Sequence, residues 1–210
     1  MRKRRFPLVL VISLWASACA LTSPAQPTAA PATLPAPPLS RTAAVSASVA
    51  PDGWTTFSND ELGFTVAYPS AGRLAAGEGA TLATINFPAD PGMNVVEEII
   101  KLSGGSHTDT CASPLAEGWA SDELTPETVV LNGIVFLRQT HSGVAAGTSS
   151  IWVAYTTLRE VRCVSLGYEL RTFDPANLDP TRFPTPPAAV DWRERVQDFE
   201  AVVATFAWLW

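Results

Sequence analysis

Positive charge is scarce in this 210-residue chain, and what there is sits at one end. Lysine occurs only at Lys3 and Lys101, and 20 acidic residues outnumber the 14 lysines and arginines. Four of those cations, Arg2, Lys3, Arg4 and Arg5, crowd the first five positions, so without them the formal charge moves from −6 to −10. A chain this acidic cannot neutralise phosphates, which excludes nucleic acid as a partner. It also lacks the polybasic patch that holds proteins to anionic lipid. The apolar run Phe6 to Trp15 covers about ten residues, whereas a membrane-spanning helix takes about twenty. Histidine is limited to His107 and His141, too few for the three or four ligands of a zinc site while the cysteines have a better use, so no metal is expected. There is no Gly-x-Ser-x-Gly elbow. Ser103-Gly104-Gly105-Ser106 has no Lys-Ser/Thr after it, so it is no phosphate loop and reads as a strand-ending turn. No cofactor is expected.

What the first nineteen residues contain is ordered: a basic stretch, an apolar stretch, then Ala16-Ser17-Ala18 immediately before Cys19. A bacterial signal peptidase reads that order. The run resembles a lipoprotein lipobox, with Ala16 where Leu is more usual. The resemblance implies that residues 1–18 are removed and that Cys19 carries palmitate-type acyl chains as the first residue of the mature protein. The alternative is an ordinary secretory signal cut near Ala18 or Ala20. Three cysteines is an odd count, awkward for an exported protein. Lipid on Cys19 leaves Cys111 and Cys163 free to close one disulfide in an oxidising compartment. A loop of about fifty residues closed in this way gains on the order of 4 kcal/mol in the chain-entropy model. The alternative for this pair is two unbridged, buried thiols.

Residues 19–51 are a different material. Pro24, Pro27, Pro31, Pro35, Pro37 and Pro38 are scattered among Ala, Thr and Ser, and Arg41 is the sole charge. With no periodic apolar pattern, the segment cannot offset its ordering entropy by burial. It is expected to be a partly extended tether, with a reach of at most roughly 90 Å for thirty residues. Residues 52–210 then make one globular domain of a size that suits a single core.

Within the domain the clearest local signal is Val129-Val130-Leu131, Asn132-Gly133, Ile134-Val135-Phe136-Leu137, two β-branched runs joined by a hairpin dipeptide. From Ser149 to Leu158, Ile151, Val153 and Tyr155 alternate with Trp152 and Ala154. After a tight turn at Arg159-Glu160, Val164, Leu166, Tyr168 and Leu170 alternate with Cys163, Ser165 and Gly167. The three runs predict an antiparallel meander. The small residues beside Cys163 leave room for the Cys111 segment to lie over their face. Earlier strands are expected at Trp54 to Phe57, Phe64 to Tyr68, Ala80 to Phe87 and Val95 to Leu102. The period then changes: Trp192, Val196, Phe199, Val203 and Phe206 form a helical apolar stripe, and Asp191 with Glu194 matches a capping box. The stripe needs the sheet as its partner, so the fold class is α+β.

Trp54-Thr-Thr-Phe57 followed by Asn59-Asp-Glu-Leu-Gly-Phe-Thr-Val-Ala-Tyr-Pro69 resembles the opening of PsbP-like domains, and Phe199 through Thr205-Phe206 resembles their close. Asn132-Gly-Ile-Val-Phe and Cys163-Val-Ser-Leu look like small bacterial lipoproteins that share this fold. The resemblance implies an antiparallel sheet flanked by helices on both sides, an α/β/α sandwich. It carries no catalytic site, since fold alone does not assign one.

The remaining candidates are the carboxylates Asp109, Glu117, Asp122, Glu123 and Glu127 near Cys111, His141 at a hairpin loop, and the tryptophans Trp152, Trp192, Trp208 and Trp210. The carboxylates do not match a calcium loop and read as a solvated face. The expectation is a monomeric, non-enzymatic, lipid-anchored module on the outer face of the cell membrane, or on the outer membrane if the cell has one. It would meet the membrane through Cys19 and an unidentified protein partner through its domain. Its rivals are a small-ligand binder with a tryptophan-lined pocket and an enzyme using the acidic loop with His141.

Overall fold

The computed structural model describes residues 50–106, 111–119, 123–124 and 126–210. The leader, Cys19 and the proline-rich stretch lie outside the described residues, as do His107, Asp109 and Asp122. The chain forms β1 (Trp54–Asn59), β2 (Phe64–Pro69), β3 (Arg73–Ala76), β4 (Thr81–Asn86), β5 (Val95–Ser106), β6 (Glu127–Leu131), β7 (Ile134–Ala145), β8 (Thr148–Arg159), β9 (Arg162–Phe173), α1 (Trp192–Val203) and β10 (Ala207–Trp208). Seven strands make one antiparallel sheet in the order β3-β4-β5-β9-β8-β7-β6, and a small sheet runs β1-β2-β10.

The turn chemistry explains the meander. Asn132 and Gly133 both take positive φ, 51° and 76°, as a two-residue hairpin turn requires. The β7–β8 turn falls at Ala146-Gly147, with φ of 50° and 80°, and Glu160 at 57° opens the turn into β9. Side-chain alternation then sets the faces. Val164, Leu166, Tyr168 and Leu170 of β9 are buried on the inner face, with Val153 and Tyr155 of β8 and Ile100 and Leu102 of β5. Against that face pack α1, through Val196, Phe199, Val202 and Val203, and the small sheet, through Phe64, Val66 and Tyr68. Asp191 caps α1 by accepting from the Arg193 amide at 2.9 Å. Of the two arms of the capping box, only this one appears among the described bonds. Buried Asn94 fixes the approach to α1: its amide donates to the Phe173 carbonyl at 2.7 Å and its carbonyl accepts from the Val190 amide at 2.8 Å.

Two expectations need correction. The fold is β-rich: ten strands and one α-helix among the described residues, not an α+β sandwich with helices on both sides of the sheet. Where the second helical layer was expected, the outer face of β9 carries an irregular segment whose described residues 111–119 hold one 3-10 turn, Pro114–Ala116. Proline in that turn and Gly118 just after it interrupt any 3.6-residue stripe, and a bridge to the sheet takes the place of a packed helix. The second correction concerns Ser103 to Ser106, which continues β5 and pairs with Arg162 to Ser165 rather than ending the strand. Gly104 serves close approach here. A Cβ at this position would stand 2.6 Å from Leu62 Cδ1 and 2.8 Å from the Cys163 carbonyl oxygen.

Candidate functional site

Cys111 and Cys163 are bonded, with Cα atoms 5.3 Å apart and a sequence separation of 52. The bridge fastens the 111–119 segment across the outer face as the small residues of β9 allow. Ser113 accepts from the Leu115 amide at 3.3 Å, and Leu115 fills the slot above Gly167, where a Cβ would come within 2.6 Å of its Cδ1. Beside the bridge a cavity of about 350 Å³ is lined by Ser103, Ser113, Ser165 and Glu117.

His141 is not in a hairpin loop. It lies inside β7 directly opposite Trp152 of β8, and Trp119 of the bridged segment covers it with ring centroids 3.6 Å apart. On the same face Gln139 Oε1, Trp152 Nε1 and Thr156 Oγ1 are buried without a hydrogen-bond partner among the described residues. Among the described residues, the carboxylates of the acidic loop divide between two places. Glu117 faces the bridge cavity, Glu127 meets Arg138 at 3.6 Å, and Glu123 shares with His141 a cavity of about 590 Å³ that Arg138 and Trp192 also line. Among the described residues no three His, Cys, Asp or Glu side chains cluster closely enough to hold a metal ion.

The polar groups that do converge were not singled out from the sequence. Tyr155 donates to Glu200 Oε1 at 2.8 Å and accepts from Arg138 Nε at 2.9 Å, so β7, β8 and α1 are joined at one hydroxyl. Tyr168 donates to Glu98 Oε1 at 2.9 Å. Their signal was available: a tyrosine on an inward strand face needs a partner for its hydroxyl. Burial raises both phenol pKa values well above the ordinary range, and the neighbouring carboxylates raise them further, Glu200 for Tyr155 and Glu98 for Tyr168. Both therefore stay neutral in the folded chain at a pH where the unfolded chain ionises them. Stability is fully present below pH about 10 and falls above it, by roughly 1.4 kcal/mol per pH unit for each tyrosine. The urea midpoint should drop steeply between about pH 9 and about pH 11; an unchanged midpoint would mean that the phenols ionise freely in the native state.

Tyr168 and Glu98 line a further cleft, about 370 Å³, between β5, α1 and the beginning of β1. Trp54, Phe87, Phe199 and, from α1, Arg195 and Asp198 line it as well. Of the tryptophans, Trp152 is buried, and Trp192 is 43% exposed at the start of α1 with the Arg193 guanidinium 4.7 Å above its ring. Trp208 is half-buried edge-on to Phe206, centroids 5.1 Å apart. Trp210 is 53% exposed and lies over Gly63, where a Cβ would come within 2.6 Å of its ring.

No family model matches the sequence, and no curated protein matches it. Among solved structures the chain is similar to cyanobacterial PsbP (CyanoP) from Synechocystis sp. PCC 6803, with 14% identity and a TM-score of 0.46, over 81% of this chain and 99% of that one. It is also similar to a protein of Bacteroides thetaiotaomicron VPI-5482, with 13% identity and a TM-score of 0.45, over 74% of this chain and 48% of that one. Both likenesses are of fold alone.

Proposed function

We propose that this protein is a lipid-anchored extracytoplasmic module that acts by binding a partner rather than by turning over a substrate. The observation that carries the reading is the division of its cysteines: Cys111 and Cys163 occupy each other, and the third, Cys19, follows a basic-then-apolar leader and three small residues. A disulfide suits an oxidising compartment, and a lipidated Cys19 leaves no thiol over. With so acidic a mature chain, membrane attachment has to come from acyl chains, two or more of which anchor stably. The residues from 19 to 51 serve as the tether, raising the domain's effective concentration at the membrane. Among the described carboxylates of the acidic loop, Glu117 lies apart at the bridge cavity from Glu123 and Glu127 near Arg138, a division that favours binding over catalysis.

Metabolic acyl labelling tests the anchor. Wild-type protein made in a bacterial host should incorporate label, and Cys19→Ala should incorporate none. Equal labelling of the two would remove the anchor and leave a freely diffusing secreted domain.

A further inference from the structure

We infer that the cleft between β5 and α1 is a binding site for a small zwitterion of the amino-acid or betaine class, a role independent of the acyl anchor. Its size, about 370 Å³, is at the small end of ligand pockets and matches a compact molecule. Its chemistry is selective in three ways. Trp54 and Phe87 line it with aromatic surface that can attract a cation, most strongly once water is displaced, while Tyr168 and Phe199 beneath are stacked on each other. Glu98 presents a carboxylate to the same space. Tyr168 holds its Oε1 at 2.9 Å, and Oε2 has no hydrogen-bond partner among the described residues. Asp198 adds a second carboxylate on the helix side. A positive group against the rings and Glu98 is therefore satisfied by both charge and surface.

Arg195 decides the other half of the ligand. It lines the cleft from α1, and among the described residues it makes no ion pair. A guanidinium repels a bare cation but offers paired N–H donors to a carboxylate. The lining thus offers carboxylates to an ammonium and a guanidinium to a carboxylate, with Trp54 and Phe87 as surface for a short apolar body. α-Amino acids and betaines have that pattern. A simple amine lacks the anion, and a fatty acid lacks the cation.

Calorimetric titration of the full chain in detergent, with glycine betaine and L-leucine as zwitterions and choline and acetate as the half-ligands, tests the assignment. At least one zwitterion should bind saturably at one site per chain, and choline and acetate should each bind about tenfold more weakly or not at all. Glu98→Gln keeps an acceptor for the Tyr168 hydroxyl, and Arg195→Gln replaces a half-buried side chain that makes no ion pair among the described residues. Each should weaken the zwitterion about tenfold while leaving far-UV circular dichroism and the thermal midpoint unchanged. No binding of either zwitterion overturns the assignment. So does choline binding as tightly as glycine betaine, or zwitterion binding that survives both substitutions.

Discussion

The double substitution Cys111→Ala with Cys163→Ala is expected to cost about 4 kcal/mol, a large share of the stability of an ordinary domain. The two residues are 52 positions apart, so without the bond the unfolded chain regains the freedom of a long loop. The folded side loses as well, because the 111–119 segment has one 3-10 turn and no strand pairing to hold it on the sheet. Without the bridge, little besides Leu115 above Gly167 and Trp119 against His141 keeps the outer face covered. Urea denaturation of oxidised wild type and of the double variant would measure the difference. Both cysteines are replaced so that no free thiol is left to pair between molecules. A loss below about 1 kcal/mol would mean that the segment is held by its packing and that the bond constrains little.

Phe199→Ala should be nearly as damaging, at about 3–5 kcal/mol. Phe199 is buried at the centre of the inner face, stacked on Tyr168 with centroids 5.4 Å apart and edge-on to Tyr155 at 5.9 Å. Truncation leaves a cavity under both rings, and the helix can close it only by shifting Glu200, one residue along, away from the Tyr155 hydroxyl. The penalty therefore combines lost contact area with a disturbed buried hydrogen bond. Denaturant midpoints of the full-length variant and wild type would give the value. A change under about 1 kcal/mol would place the apolar stripe of α1 outside the core.

Period and turn chemistry made much of the domain legible. The alternation in β8 and β9 assigned inner and outer faces residue by residue, and Asn132-Gly133 marked the turn between β6 and β7. The spacing of Val196, Phe199 and Val203 gave the buried side of the helix, whereas Phe206, on the same stripe, is buried beyond the helix end and Trp192 at its start is exposed. Failures came where a local signal had two physical meanings. Ser142-Gly143 suggested a loop at His141, but the strand continues and the chain turns at Ala146-Gly147, which alanine masks in sequence. Ser103 to Ser106 likewise looked like a turn, because glycine that permits a turn and glycine that admits a neighbouring Leu62 are written alike. The cleft was hidden for another reason. Trp54, Phe87, Glu98, Tyr168 and Arg195 belong to different elements, and no spacing along the chain predicts that they meet.

The small sheet has a consequence for the order of assembly. Strand β2 is bordered by β1, its immediate predecessor, and by β10, almost 140 residues later. The Thr205 hydroxyl accepts from the Ala67 amide at 2.8 Å, a bond spanning 138 positions, and the Leu209 amide donates to the Gly63 carbonyl at 2.8 Å. During synthesis, the β1–β2 hairpin emerges early and waits with one edge bare. A lone hairpin is barely stable in water, and closing so long a loop is slow. The β7–β8–β9 meander needs only neighbours in sequence, so it can serve as the platform on which the first and last segments of the domain are finally joined.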